Sequence, residues 1–587
     1  MKLINSIIGF IKTHELLSLF SLFYLIYNLN MRPIGSVDTI PASLLPFSIL
    51  ENHNLYFDNF YSYYANMHYL ISFFAQVNGH YVSGYPIVTP VLITPFYIIP
   101  YLLLKLSHIP IDLSNPGFNL TVSIMEKLAA SFIAALSGIF VFLSLKELIN
   151  RKTALIGTMI FALATNTWTV SSQGLWQHGL VELILALSIY LVLLNEKHRS
   201  DKIIISLGIL SGLFFLNRPV DIILLIPLLY YILNFKDRRI VYYFGSMALS
   251  GGPFLIYNYY YYGNPFGGNS ILLSGFSLNS NNIISFAGLL ISPSRGLFVY
   301  TPILILSVLG YLKTLQIENK NIRYLLMLFG GSILLSLLVY SSFSCWWAGG
   351  SYGPRFLTGM LPALAMFLGL YIKDISFNIK TRKNLLKVCI ISISLLWSIF
   401  AQLVGAFYYP NGNWDGSPSD NGDRLWDYND TQIGRTFNAG IIYPHNPLND
   451  IRFIMFWSKM GHTDRVALRA HNGQYICAEE GGGHEVVANR NSVGPWEIFD
   501  IKYLRDNSVV LLASNRQYVS VEGGGCKIIA NSDFVGPREI FGLKDLGNNS
   551  VALLASNGQF VSVESEREVV ANANSVGSRE TFGLQHP

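Results

Sequence analysis

Charge is scarce in this chain. Asp, Glu, Lys and Arg make up 13% of its 587 residues and hydrophobic residues 51%, which excludes an ordinary soluble protein of this length. Cysteine is scarce as well. Cys345, Cys389, Cys477 and Cys526 show neither paired nor metal-type spacing, so no disulfide framework is implied. No glycine-rich phosphate loop is present, so nothing points to a nucleotide site. The opening stretch "MKLINSIIGFIKTHELLSLFSLFYLIY" carries Lys2 and Lys12 but no small-residue cleavage site, and it reads as a retained first span rather than a signal peptide. The net charge of +5 is small, and no nucleic-acid partner is implied.

What the chain has instead is apolar blocks of roughly 17–25 residues, the length that crosses a hydrocarbon core of about 30 Å. They stop near residue 410, which divides a membrane part from a tail. The pattern predicts about eleven spans, near 14–30, 121–145, 154–171, 180–195, 203–217, 220–235, 240–262, 296–312, 324–344, 356–372 and 388–409. With a cytoplasmic N-terminus, the inner loops are "KELINRK", "NEKHRSDK", "NFKDRR", "KTLQIENKNIR" and "KDISFNIKTRKNLLK". The outer side keeps only Arg32, Lys105, Lys127, Arg218, Arg295 and Arg355, the asymmetry expected of the positive-inside rule. The apolar segment 85–106 would invert every later loop if it spanned. Its four prolines suit an interfacial segment within a long outer loop, 31–120. An odd span count leaves the tail outside.

The tail, 462–587, is a threefold repeat with a period of about 42 residues, joined to the membrane part (1–410) by a connecting segment, 411–461. "VALRAHNGQYICAEEGGGHEVVANRNSVGPWEIF", "VVLLASNRQYVSVEGGGCKIIANSDFVGPREIF" and "VALLASNGQFVSVESEREVVANANSVGSRETF" alternate apolar and polar residues between Asn-Gly and Gly-Gly-Gly turns, which predicts strands and hairpins. "N-x-Q-[YF]", "AN" and "E-x-F" recur in register, and on those motifs the tail resembles a β-trefoil of the fascin-like kind. The repeated residues serve core and turns first. Beside an outward-facing enzyme, such a module more plausibly holds a glycan or an acceptor than actin.

The outer loops carry a second resemblance. "GSVDTIP", "NGHYVSGYP", "GLWQHG", "NRP", "SPSRGLFVYTP" and "WWAGGSYGPRFL", in that order, make residues 1–445 similar to multispanning glycosyltransferases of the C type, relatives of protein O-mannosyltransferases and lipid A aminoarabinose transferases. The resemblance implies a polyprenyl-phosphate-sugar donor, transfer at the outer face of the cell membrane to a glycan, lipid or protein acceptor, and a catalytic acid at Asp38.

The chemistry agrees. Displacing a lipid phosphate from an anomeric carbon needs a base for the acceptor hydroxyl and cations for the leaving phosphate. A partly desolvated carboxylate suits the first role, and guanidinium forks match phosphate oxygens. Asp38 is therefore the candidate base, Arg295, Arg355 and His178 the candidate phosphate ligands, and Glu126 a candidate second acid or ion-pair partner. His80, Tyr81, Tyr85, Trp347, Tyr352 and Gln177 are candidate sugar or acceptor contacts.

Each has a structural rival. Asp38 also fits a helix cap, Trp346 and Trp347 an interfacial belt, and Arg218 a tie between loops. Thr39 follows Asp38 where protein mannosyltransferases carry an adjacent Asp-Glu pair, which leaves the acceptor and any divalent metal open. The alternative is a transporter or flippase with an external carbohydrate-binding trefoil. Such a protein concentrates ionisable residues in mid-membrane, and here only Glu182 and Asp221 look intramembrane.

Overall fold

The computed structural model describes residues 14–66, 73–269, 282–375, 381–411, 414–415, 422–442, 460–504, 508–515, 517–522, 527–532, 538–564 and 567–586. Lys2, Lys12, Lys380, Cys526 and much of the expected connecting segment 411–461 lie outside them. The chain divides into a helical unit reaching His445 and a β unit from Asn446 onward.

Among the described residues, seven helices are long and apolar enough to cross a membrane: Val88–Leu106, Pro116–Leu148, Gln177–His198, Arg239–Tyr262, Lys320–Ser341, Arg355–Ile372 and Asn384–Phe407. Glu15–Asn28, Pro219–Leu233, Asn282–Ile291 and Pro302–Gln316 are shorter apolar helices. Six of the seven long helices fall on expected spans and the seventh, Val88–Leu106, on the segment expected to lie along the surface, so the expected count of eleven is not reproduced among the described residues.

The interruptions have local causes. The expected span 154–171 stops as a helix at Leu163 and continues as a π-turn, Thr167–Ser171, because its Thr and Ser hydroxyls are spent on buried hydrogen bonds. Pro219 and Pro302 each open a 3-10 turn, since proline has no N–H to donate to the preceding turn. The proline argument fails for 85–106. Pro95 and Pro100 lie inside one continuous helix of spanning length, and apolar surroundings tolerate proline within a helix.

Caps mark the other ends. Asn115 accepts from the Gly117 and Phe118 amides ahead of Pro116–Leu148, and Asn319 caps Lys320–Ser341 in the same way. Helices Asp201–Asn217 and Arg239–Tyr262 cross closely. A Cβ on Gly208 would stand 2.3 Å from the Tyr243 carbonyl oxygen, and Ser250 donates across the crossing to the Ile209 carbonyl.

The β unit contains β3 (Met460–Arg469), β4 (Tyr475–Ala478), β5 (Val486–Arg490), β6 (Ile498–Leu504), β7 (Ser508–Leu512) and β8 (Tyr518–Glu522). It continues with β9 (Lys527–Ser532), β10 (Phe541–Gly547), β11 (Ser550–Leu554), β12 (Phe560–Val563), β13 (Val569–Ala573) and β14 (Phe582–Gln585). A preceding hairpin in the helical unit supplies β1 (Phe74–Val77) and β2 (His80–Ser83). Antiparallel pairing runs β3–β6–β7–β10–β11–β14 and returns from β14 to β3, so these strands close a barrel. The remaining strands form three hairpins, β4–β5, β8–β9 and β12–β13. Equivalent positions of the three repeats fill the core together: Leu468, Leu511 and Leu553; Ile476, Val519 and Val561; Phe499, Phe541 and Phe582.

Candidate active site

Asp38 lies on the loop that follows helix Glu15–Asn28. That loop is docked on the turn after the π-turn: Asn30 donates to Gln173 Oε1 at 2.7 Å, the Ile34 amide to the Gln173 carbonyl at 2.6 Å, and Trp176 Nε1 to the Ile34 carbonyl at 3.2 Å. Glu126, buried in helix Pro116–Leu148, reaches beneath it. Its carboxylate accepts from the Leu175 amide at 3.3 Å and from the Thr39 hydroxyl. A Cβ on Gly35 would lie 2.7 Å from Glu126 Oε1, so glycine there leaves room for the carboxylate.

The Asp38 carboxylate is held on both oxygens. Arg355 Nη1 donates to Oδ2 at 2.6 Å and the Tyr85 hydroxyl to Oδ1 at 2.8 Å. The Asp38 side chain keeps 27% exposure and that of Arg355 only 8%. Burial, and then the carboxylate itself, raise the Tyr85 pKa, so the phenol stays a proton donor. The Arg355 guanidinium carbon sits 4.2 Å from the Trp176 ring centroid, and Nη2 donates to the Ala348 carbonyl at 2.7 Å. Arg355 Nε and His178 Nδ1 are shielded from solvent and have no partner among the described residues.

A second cation lies behind. Arg218 pairs with Asp221 at 3.0 Å, and Tyr340 bridges them by accepting from Arg218 and donating to Asp221. Phe356 packs among these groups, 5.4 Å from Arg218, 5.8 Å from Arg355 and 6.2 Å from the His178 ring. Both arginines lie within electrostatic reach of His178. Asp38, Arg355, Tyr85, His178 and Arg218 therefore form one cluster, half open at Asp38 and buried behind.

Arg295 stands in a different network. It is 1% exposed and donates to the Ser351 and Gly349 carbonyls, to Gln432 Oε1 at 2.6 Å and to Asp415 at 2.6 Å. Ala348 and Gly349 both have positive φ, so the loop carrying them is a tight turn held by Arg355 on one side and Arg295 on the other.

The other candidates scatter. His80 pairs with Asp58 at 2.7 Å and stacks on Tyr56, while Tyr81 stacks on Tyr61. Tyr352 is buried with its hydroxyl on the Ala401 carbonyl, away from Asp38 contacts. Trp347 is half-buried against Trp346, and the Gln177 carbonyl accepts from Asn217. Trp176, Tyr340 and Asp221 join the site without having been singled out for it. Trp176 was at least inside a quoted motif, "GLWQHG", whereas Tyr340 carried no signal. Among the described residues no group of three or more His, Cys, Asp or Glu side chains is arranged to hold a metal ion.

A family model described as dolichyl-phosphate-mannose-protein mannosyltransferase matches residues 123–257, the stretch that contains Glu126, Gln173, His178 and Arg218. The match supports a membrane glycosyltransferase of the C type. A second family model, described as a domain of unknown function (DUF7910), matches residues 463–583. No curated protein matches the chain. Among solved structures, a designed threefold-symmetric protein, ThreeFoil, is 23% identical over 21% of this chain and 96% of its own, with a TM-score of 0.19, too low to carry an argument.

Proposed function

We propose that the chain transfers one sugar from a polyprenyl-phosphate donor to an extracytoplasmic acceptor, with Asp38 as general base. The observation that carries this reading is the partly exposed Asp38 carboxylate held at 2.6 Å by an arginine stacked on an indole. In the reaction, Asp38 takes the proton of the acceptor hydroxyl. The acceptor oxygen bonds to the anomeric carbon as its bond to the phosphate oxygen breaks, and the polyprenyl phosphate departs with the bonding pair. Attack opposite the leaving group inverts the anomeric centre.

Arg355 serves both anions. Guanidinium prefers a phosphate fork, so an arriving donor draws Arg355 from Asp38 Oδ2 and leaves that oxygen free to accept a proton. Arg218 and His178, close behind, add positive field and a hydrogen bond to the same phosphate. Arg295, whose terminal nitrogens all bond to protein, holds the 348–351 loop instead. The sugar is a hexose or pentose, and the acceptor a glycan, lipid or protein.

We place this face outside. Glu15 pairs with Arg151 and Lys146 at the opposite end of the first helix from Asp38, and Lys313–Asp374 and Arg238–Asp201 pair between basic connections, which suits a cytoplasmic surface rich in cations. The closed barrel with three hairpins supports reading 462–587 as a fascin-like β-trefoil that holds glycan or acceptor.

Asp38→Asn tests the base. Reconstituted with a radiolabelled polyprenyl-phosphate sugar and membrane acceptors, this variant should lose at least about 1,000-fold in transfer while remaining folded. Transfer at the wild-type rate would refute the assignment.

A further inference from the structure

We infer that the first repeat of the barrel carries a binding site for a neutral saccharide, built on the Trp496 indole. The inference rests on reading the barrel as a glycan-holding module and says which of its three related faces does the holding.

The three repeats solve one local problem in two ways. In the third, Arg579 donates to Glu564 at 3.0 Å, Asn572 donates to the same carboxylate at 3.1 Å, and Ser562 donates to Asn572 Oδ1 at 2.7 Å. Arg538 occupies the position of Arg579 in the second repeat, and Ser520 donates to Asn531 there as Ser562 does to Asn572. In the first repeat the carboxylate is Glu479. Asn489 donates to it at 2.8 Å, but the arginine comes from strand β5, where Arg490 donates at 3.0 Å. The position that Arg579 uses for its ion pair, and that Arg538 fills in the second repeat, is Trp496 here.

The indole is set on the surface. Trp496 is 41% exposed, and a Cβ on Gly481 would stand 3.4 Å from its Cδ1 and Nε1, so one ring edge lies against glycine backbone. The Trp496 carbonyl accepts from the Ala478 amide, an anchor that does not depend on the side chain. Cys477 replaces the serine of the other repeats and its thiol turns to Glu497, which leaves Asn489 Oδ1 without a partner. The first repeat thus spends polar satisfaction that the other two keep.

An exposed indole set against Gly481, in a turn that also carries Glu479 and meets the Ser514 hydroxyl, matches the two-sided chemistry of a sugar ring. The C–H face of a pyranose packs on an aromatic plane, and its edge hydroxyls bond to planar polar groups. Arg490 is shared between Glu479 at 3.0 Å and Glu497 at 3.6 Å, which leaves no excess positive charge to attract an anion, and Ser514 is bonded to the Gly481 carbonyl beside the indole. Glu480, with a side chain 75% exposed and 3.2 Å from His484 Nε2, adds a further carboxylate to this repeat and disfavours an anionic sugar.

The test uses the full chain, in a detergent without a sugar headgroup, on an array of neutral and acidic oligosaccharides. Wild type should bind neutral saccharides. Trp496→Ala should lower that affinity at least about tenfold and Trp496→Phe less than about threefold, while Arg579→Ala stays within about twofold. Equal binding by wild type and Trp496→Ala overturns the Trp496 site yet leaves the glycan-holding reading standing. Silence of the wild type across the array overturns both, and binding of acidic saccharides alone overturns the neutral ligand.

Discussion

Arg355 touches three things at once: the Asp38 carboxylate, the Trp176 ring and the Ala348 carbonyl. Lysine keeps the charge but neither the fork nor the stacking plane. Arg355→Lys should therefore cut kcat/KM for the donor by about 10- to 100-fold, the equivalent of about 1.5–3 kcal/mol, with the larger part in KM. Arg295→Lys should leave donor KM within about twofold and lower the thermal midpoint instead, because it breaks a buried hub joining Asp415, Gln432 and the 348–351 loop. Equal donor defects in the two variants would undo this division of labour.

At this scale short motifs beside apolar runs single out Asp38, Arg355 and Tyr85, and the structure brings those three side chains into contact. The sequence does not separate Arg295, which the structure places in another network, from Arg355. "SPSRG" looks as functional as "YGPRF", and the two side chains that absorb Arg295, Gln432 and Asp415, lie more than a hundred residues downstream with no pattern to announce them.

Elements were legible where a period existed and illegible where a buried polar group overruled it. The alternation of the tail foretold its strands, and the "AN" and "E-x-F" positions fall in β5, β9 and β13 and at the starts of β6, β10 and β14. Hydropathy found the helices but not their breaks. Nothing in the run 154–171 says that Thr167 and Ser171 will bond to Glu182 and turn the chain into a π-turn. The Gly208 and Gly212 crossing belongs here too. A Cβ on Gly212 would come within 2.5 Å of the Met247 carbonyl oxygen, so Gly212→Leu must push the two helices apart. Detergent-solubilised protein should lose about 1–3 kcal/mol, read as a drop in thermal midpoint, and an unchanged midpoint would mean that the helices separate freely.

For the whole molecule, orientation is the property most open to a direct test. Cys345 is exposed in the loop placed outside, and Lys152 is exposed at the end of the helical unit placed inside. In variants carrying a single cysteine, a membrane-impermeant maleimide should label Cys345 on intact cells. It should label Lys152→Cys only after permeabilisation, and the reverse pattern would turn the protein over. The basic loops are what argue for this orientation, since insertion itself responds to local charge.

The β unit has its own large-scale constraint. Its cylinder is sealed where β14 meets β3, the last described strand against the first. A ribosome delivers those two edges far apart in time, and until the later one arrives the earlier strands carry an unzipped seam of bare amide and carbonyl groups. Quality control at the membrane therefore faces a nearly finished cylinder with a raw edge. A nonsense codon between Leu554 and Phe582 would freeze it in that sticky state instead of yielding a slightly shorter working module.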